Sequence, residues 1–158
     1  MLKINRRTDY AVRVGVALAK QPLGTRLPTH QIKEEMLIPR AFLQRIISEL
    51  SQAHLIQTFP GPSGGIQLAR PPEEISLRDI VDAMEGPLCI SDCLIQPQDC
   101  PLSTACPVRG RWGRLERMIL AELEQTSLAQ LAAETLPDIQ DQLSSQSYLF
   151  SSQSTIQA

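Results

Sequence analysis

All four cysteines of this 158-residue chain, Cys89, Cys93, Cys100 and Cys106, fall in one stretch, CISDCLIQPQDCPLSTAC. Thiolates bind iron–sulfur clusters and zinc alike, and the six- and five-residue gaps between Cys93, Cys100 and Cys106 let a flexible loop wrap a compact centre. Structural zinc sites favour short CxxC knuckles, which this stretch lacks. Unligated thiols in an exposed loop are a chemical liability. An iron–sulfur centre, a structural zinc and free thiols therefore all stay open.

A second set of residues could read nucleic acid. Arg40, Gln44 and Arg45 lie near the start of a helical stretch whose apolar residues occupy another face. If the N-terminal turn of that helix enters a major groove, arginine can reach guanine or phosphate and glutamine a base edge. On an isolated helix the same side chains would simply be solvated. Arg6 and Arg7, just ahead of the first helix, are candidate phosphate contacts. In PGPSGG, the residues Gly61, Ser63, Gly64 and Gly65 could let a backbone approach a duplex closely, although glycines also make ordinary hairpin turns. No nucleophile–base pair and no phosphate-cradling loop is present, so an enzyme is not expected.

Charge is unevenly divided. Residues 1–72 hold ten Lys and Arg against four Asp and Glu, or +6, and residues 73–158 hold five against thirteen, or −8, which recovers the net −2. That asymmetry fits an anionic partner on the front half alone. No uninterrupted apolar run of about 18 residues occurs. Arg13 breaks the apolar N-terminal stretch, so neither a membrane span nor a secretory leader is expected and the expected compartment is the cytoplasm. There, clustered cysteines favour metal binding over disulfides.

The elements that must position these groups can be read from periodicity. Tyr10, Val14 and Leu18, broadened by Val12 and Val16, predict a first helix from about Thr8 to Lys20. A second, with Thr29 as its cap, carries Ile32 and Met36 inward and ends at a tight turn at Leu37-Ile38. The third starts at Pro39 and runs to about Gln52, burying Phe42, Leu43, Ile46, Ile47 and Leu50. Leu55 to Phe59 and Ile66 to Ala69 predict a hairpin, and Ser76-x-x-Asp79 a capping box opening a helix that Gly86 stops. From Pro87 to Pro107 no period appears, and a loop of that length needs something to order it. Val108, Trp112, Leu115, Ile119 and Leu123 then predict a long amphipathic helix whose partner is its own copy in a two-fold dimer, with Leu128 to Ala133 a short closing helix.

The expected fold is thus mainly α with a small β-hairpin wing: a winged helix-turn-helix over residues 1–86, a cysteine-rich loop over 87–107, a dimerisation helix and short closing helix over 108–134, and a disordered Ser/Gln-rich tail over 135–158. The segments TDYAVRVGVAL, IPRAFLQRIISELSQAHLI, PGPSGGIQLARPPEEISLRDIVDAMEG and SLAQLAAE, with the cysteine loop between the last two, resemble the bacterial iron–sulfur winged-helix transcription regulators of the IscR, NsrR and RirA kind. The resemblance covers about residues 1–134. It implies a homodimer on a pseudo-palindromic DNA operator and a 4Fe-4S or 2Fe-2S cluster on Cys93, Cys100 and Cys106, with repression as the expected output. Two departures stand out. Arg109 occupies the place of a histidine ligand used by some relatives, and Pro60 the place of an arginine that often precedes the first wing glycine. The fourth ligand is left between Asp9 of the partner subunit, Cys89, and a small molecule or water. His30 and His54 read as surface or capping residues, and Trp112 as interface packing.

Overall fold

The computed structural model describes residues 4–134; the Ser/Gln-rich tail lies outside them. Helix α1, Arg6–Ala19, starts two residues before the predicted Thr8 because Asn5 caps it, its side chain accepting from the amides of Arg7 and Thr8. Its buried face is Thr8, Ala11, Val14, Gly15, Ala17 and Leu18, and these small residues let α3, α4 and α7 pack closely around it.

Helix α2 is Thr29–Glu35 and α3 is Arg40–Gln52. Both start behind an extended proline, Pro28 and Pro39, so Thr29 is the first helical residue rather than the cap. Between them Leu37 adopts φ 52°, which produces the tight turn expected at Leu37-Ile38. Leu43, Ile46 and Leu50 of α3 are buried, with Ile47 half-buried. Phe42, expected inside, is 39% exposed and packs edge-on against Tyr10, with ring centroids 5.5 Å apart. Its place one residue round from Leu43 puts it on the rim of the stripe rather than at its centre.

Strands β1, Ile56–Phe59, and β2, Gly65–Leu68, pair antiparallel, with Ile56 opposite Leu68 and Phe59 opposite Gly65. Leu27 adds a one-residue bridge to Ile66 on the free side of β2. A short 3-10 turn at Pro72–Glu74 leads to α4, Leu77–Glu85, whose Ser76/Asp79 capping box forms as the sequence predicts. Gly86 ends α4 at φ 81°.

Two features depart from the expected division of the chain. The stretch 87–107 is not devoid of regular structure, since it holds helix α5, Asp92–Ile95, and a 3-10 turn at Pro97–Asp99. The winged-helix core also does not close at residue 86. After the long α6, Pro107–Gln125, helix α7, Leu128–Ala133, returns to α1, and Leu128 is 1% exposed in the same core as Ile32, Ile46, Ile66, Ile75 and Ile80. Backbone hydrogen bonds from Leu77 N to Thr126 O, 2.7 Å, and from Leu128 N to Ile75 O, 2.9 Å, stitch that return in place.

Helix α6 spans about 28 Å at ~1.5 Å per residue. It leans on α4 and α5 yet buries no residue fully. Val108, Trp112, Leu115 and Met118 are all exposed, whereas Ile119 and Leu123 are half-buried. No helix among the described residues is long and apolar enough to cross a membrane.

Candidate DNA-binding face and thiol loop

With Leu43, Ile46 and Leu50 locked inward, the helical period turns Arg40, Gln44, Arg45 and Ser48 of α3 to solvent. Arg40 and Gln44 line a groove with Thr29, His30 and Lys33 of α2, so three basic or potentially basic groups border one cleft. Arg45 is 70% exposed and donates through Nε to Glu49 at 2.9 Å, which orients it along the helix surface. Arg6 is exposed at the N-terminus of α1.

Arg7 is in a different situation from the one expected. Its Nη1 pairs with Glu49 at 3.2 Å and its Nη2 donates to the Met84 carbonyl at 2.9 Å, leaving the side chain 23% exposed. Thr8 Oγ1, donating to Glu85, adds a further tie. Arg7 therefore braces α1 against α3 and α4, and its guanidinium is already occupied within the chain. Two adjacent residues of one type, Arg6 and Arg7, diverge because helical rotation sends one out and the next inward.

The wing tip, Pro60 to Gly64, is exposed apart from the half-buried Gly64. A Cβ on Gly64 would stand 2.1 Å from the Phe59 carbonyl oxygen, so the turn is built for glycine. Gly61, Gly64 and Gly65 line a second groove with Thr29, His30 and Phe59, which joins the wing to the N-terminal end of α2.

The thiol loop is pinned at both ends. Ile90 N donates to Glu116 of α6 at 3.0 Å, and Cys106 occupies the N-cap of α6 ahead of Pro107. Arg109, on the first turn of α6, donates to the Ser103 carbonyl at 3.2 Å. All four cysteines are half-buried, and none is joined in a disulfide. Ser91 links two of them: Cys89 Sγ donates to the Ser91 carbonyl at 3.1 Å, and Cys93 Sγ lies 3.2 Å from the Ser91 hydroxyl. Cys93 and Cys100 line one pocket with Asp92 and Asp99, whereas Cys106 lines another with Arg109 and Arg117. Among the described residues, no group of three or more His, Cys, Asp or Glu side chains converges where one metal ion could be held. The thiols thus supply the right donor atoms for a cluster but, as placed, not a shared centre. Asp9 lies outside this region, 52% exposed and paired with Arg13 at 2.8 Å. His30 borders the α2–α3 groove, and His54 sits at φ 56° just past the end of α3. Sequence reading missed Ser91 and Glu116, whose roles depend on contacts that no spacing rule announces.

The pattern of a helix-turn-helix followed by a wing, a thiol loop and a returning C-terminal helix is matched along its whole length by one family, described as iron-dependent transcriptional regulators, over residues 4–134. This chain belongs to the Rrf2 family. Rrf2 proteins are DNA-binding transcription regulators rather than enzymes. An HTH-type transcriptional regulator of Mycobacterium tuberculosis is 33% identical over 139 residues, 87% of this chain and 85% of that protein. Among solved structures, CymR, the global cysteine regulator of B. subtilis, superposes with a TM-score of 0.66 at 24% identity, covering 85% of this chain and 99% of CymR. IscR of T. potens superposes with a TM-score of 0.65 at 24% identity, covering 82% and 85%. These two likenesses bear out the winged-helix fold of this Rrf2 chain.

Proposed function

We propose that this Rrf2 protein is a cytoplasmic homodimeric repressor that binds a pseudo-palindromic duplex operator and senses its signal through an iron–sulfur cluster on the thiol loop. The observation that carries the DNA half is the polar outer face of α3, set against a core-locked inner face and beside a glycine wing. In this reading Arg40, Gln44 and Arg45 work in the major groove, Arg6 contacts phosphate, and Gly61, Ser63, Gly64 and Gly65 bring the wing backbone to the duplex. Arg7 acts behind them by fixing α1 to α3 through Glu49.

The dimer rests on α6. Its exposed Val108, Trp112, Leu115 and Met118 form an apolar strip that a second α6 would cover in a two-fold contact. Two recognition helices must then match half-sites about 34–36 Å apart. The thiol loop lies between the DNA-binding core and α6, tied to α6 by Glu116, and α4 is joined to α6 by the Arg78–Glu124 pair at 3.1 Å. A change in the loop would therefore shift the angle between α6 and the core, and with it the half-site spacing.

The residues that would hold the sensing group are Cys93, Cys100 and Cys106, with Cys89, Asp9 of the partner subunit, or a small molecule or water as the fourth ligand. The thiolate chemistry and the iron-dependent description of the family support a cluster. When bound, the cluster would supply redox and nitric-oxide chemistry to the loop. The division of the thiols between two pockets favours a second reading, a regulator that senses through the thiols themselves or holds only zinc. Relatives named for cysteine regulation and as IscR are consistent with either.

Anaerobic purification separates the two. The cluster reading expects coloured protein that contains iron and acid-labile sulfide, and loss of both from a Cys93→Ser variant; parallel Asp9→Ala and Cys89→Ala preparations identify the fourth ligand. Colourless protein without iron or sulfide overturns it in favour of the thiol or zinc reading.

A further inference from the structure

The wing carries no charge of its own, since neither Lys nor Arg occurs from Ile56 to Leu68. A hairpin that meets a polyanion without a cation releases no counterions and contributes little affinity. The fold brings a cation to it from elsewhere in the chain. Arg26 lies in the connection between α1 and α2, and its guanidinium carbon stands 3.7 Å from the ring centroid of Phe59, the last residue of β1.

This placement is enforced by backbone. Leu27, the next residue, exchanges both hydrogen bonds with Ile66, each 2.9 Å, and its side chain is 5% exposed. Opposite Phe59, Gly65 sits at φ 153°, and a Cβ there would come within 2.5 Å of the Leu27 carbonyl oxygen. The segment at residue 27 therefore lies flush against the wing and delivers Arg26 to the ring. Arg26 is exposed and, among the described residues, forms no ion pair, unlike Arg7, Arg13, Arg45, Arg70 and Arg78. Stacking fixes the plane of the guanidinium and leaves its edge N–H groups free, the arrangement suited to donating two parallel hydrogen bonds to a phosphate.

We propose that Arg26, held on Phe59, is the phosphate-binding cation of the wing. The inference rests on the reading that α3 and the wing face DNA. It assigns to the wing an electrostatic contact that the hairpin sequence lacks, supplied by a residue that no wing motif would point to.

The test is a fluorescence-anisotropy titration of the full chain with a labelled 30-base-pair duplex of mixed sequence, repeated between 50 and 200 mM salt. Arg26→Gln should flatten the slope of log affinity against log salt by about 0.9 for each subunit engaged, and weaken binding at 50 mM roughly tenfold. Arg26→Lys should keep most of the slope, because the charge remains. Phe59→Leu, with unchanged thermal stability, should weaken binding in the same direction because the charge remains but is no longer held. Arg114→Gln removes the same charge from an exposed position of α6, outside the wing and the apolar strip, and should leave the slope as in the wild type. Equal slopes for Arg26→Gln and Arg114→Gln would overturn the assignment. A wild type that binds while Arg40→Ala/Arg45→Ala binds equally well would instead defeat the role of α3 and leave the Arg26 result to stand by itself.

Discussion

Leu128 provides the sharpest test of how the DNA-binding core is completed. It lies more than forty residues beyond Gly86, yet it is 1% exposed, and its two terminal methyl carbons lie 3.0 Å from where a Cβ on Gly15 would stand. Truncating it to alanine removes three carbons, a transfer loss of about 2.4 kcal/mol at ~0.8 kcal/mol each. A cavity term is added because the site cannot collapse. The backbone on both sides is held by the Leu77–Thr126 and Leu128–Ile75 hydrogen bonds, so α7 cannot follow the shortened side chain inward. Leu→Ala changes in cores cost about 2.7–5.0 kcal/mol, and this pinned site belongs in the upper half, near ~4 kcal/mol. At about 3–5 °C per kcal/mol for a domain of this size, the melting temperature should fall by roughly 15 °C. Urea unfolding and a thermal scan at fixed protein concentration measure both quantities, with the half-buried Leu131→Ala as a milder reference. A destabilisation below about 1 kcal/mol would refute the packing argument, since full burial of a leucine in a pinned site cannot cost so little. Equal stability of a fragment ending at residue 86 would refute it as well.

Two other outcomes follow from local geometry. His54 holds φ 56°, a conformation that costs a non-glycine residue about 1–2 kcal/mol, while glycine gives up ~0.5–1 kcal/mol more entropy on folding, so His54→Gly should raise stability by about 0.5–1 kcal/mol in urea unfolding. Trp112→Asp/Leu115→Asp places two carboxylates in the exposed strip of α6; analytical ultracentrifugation should show a monomer of unchanged helicity, whereas a persistent dimer would move the interface away from α6.

Much of the fold is legible in the sequence because its signals are local. Periodicity locates α1, α3, α4 and α6, the proline-and-glycine run marks the wing, and the Ser76/Asp79 pair announces a capping box that forms as read. Features that depend on distant residues are not legible in the same way. Phe42 reads as a core residue because it neighbours Leu43, but its exposure is set by where Tyr10 lies, 32 positions earlier. Arg6 and Arg7 read as equivalent, and only the position of Glu49 and the Met84 carbonyl separates them. The return of α7 carries no local sign because Leu128 is buried by Gly15 and Ile80, both remote in sequence. For the candidate site, residue types are easier to read than their arrangement. Cysteine spacing points to metal chemistry, while the separation of Cys106 from Cys93 and Cys100 depends on α6 beginning at Pro107 and carrying Cys106 to its own pocket. Arg26 offers no sequence signal, since a lone arginine in a connection gains meaning only when the Leu27–Ile66 bridge sets it beside Phe59.

The claim that α3 reads DNA is tested most directly by anisotropy titration of Arg40→Ala/Arg45→Ala against the wild type on a labelled duplex across a salt series. An arginine that neutralises a phosphate should flatten the salt slope by about 0.9 when truncated, and one that reads a base edge should cost ~1–3 kcal/mol, so affinity should drop at least tenfold and depend less on salt. A double variant that keeps both the affinity and the salt slope of the wild type would contradict the account.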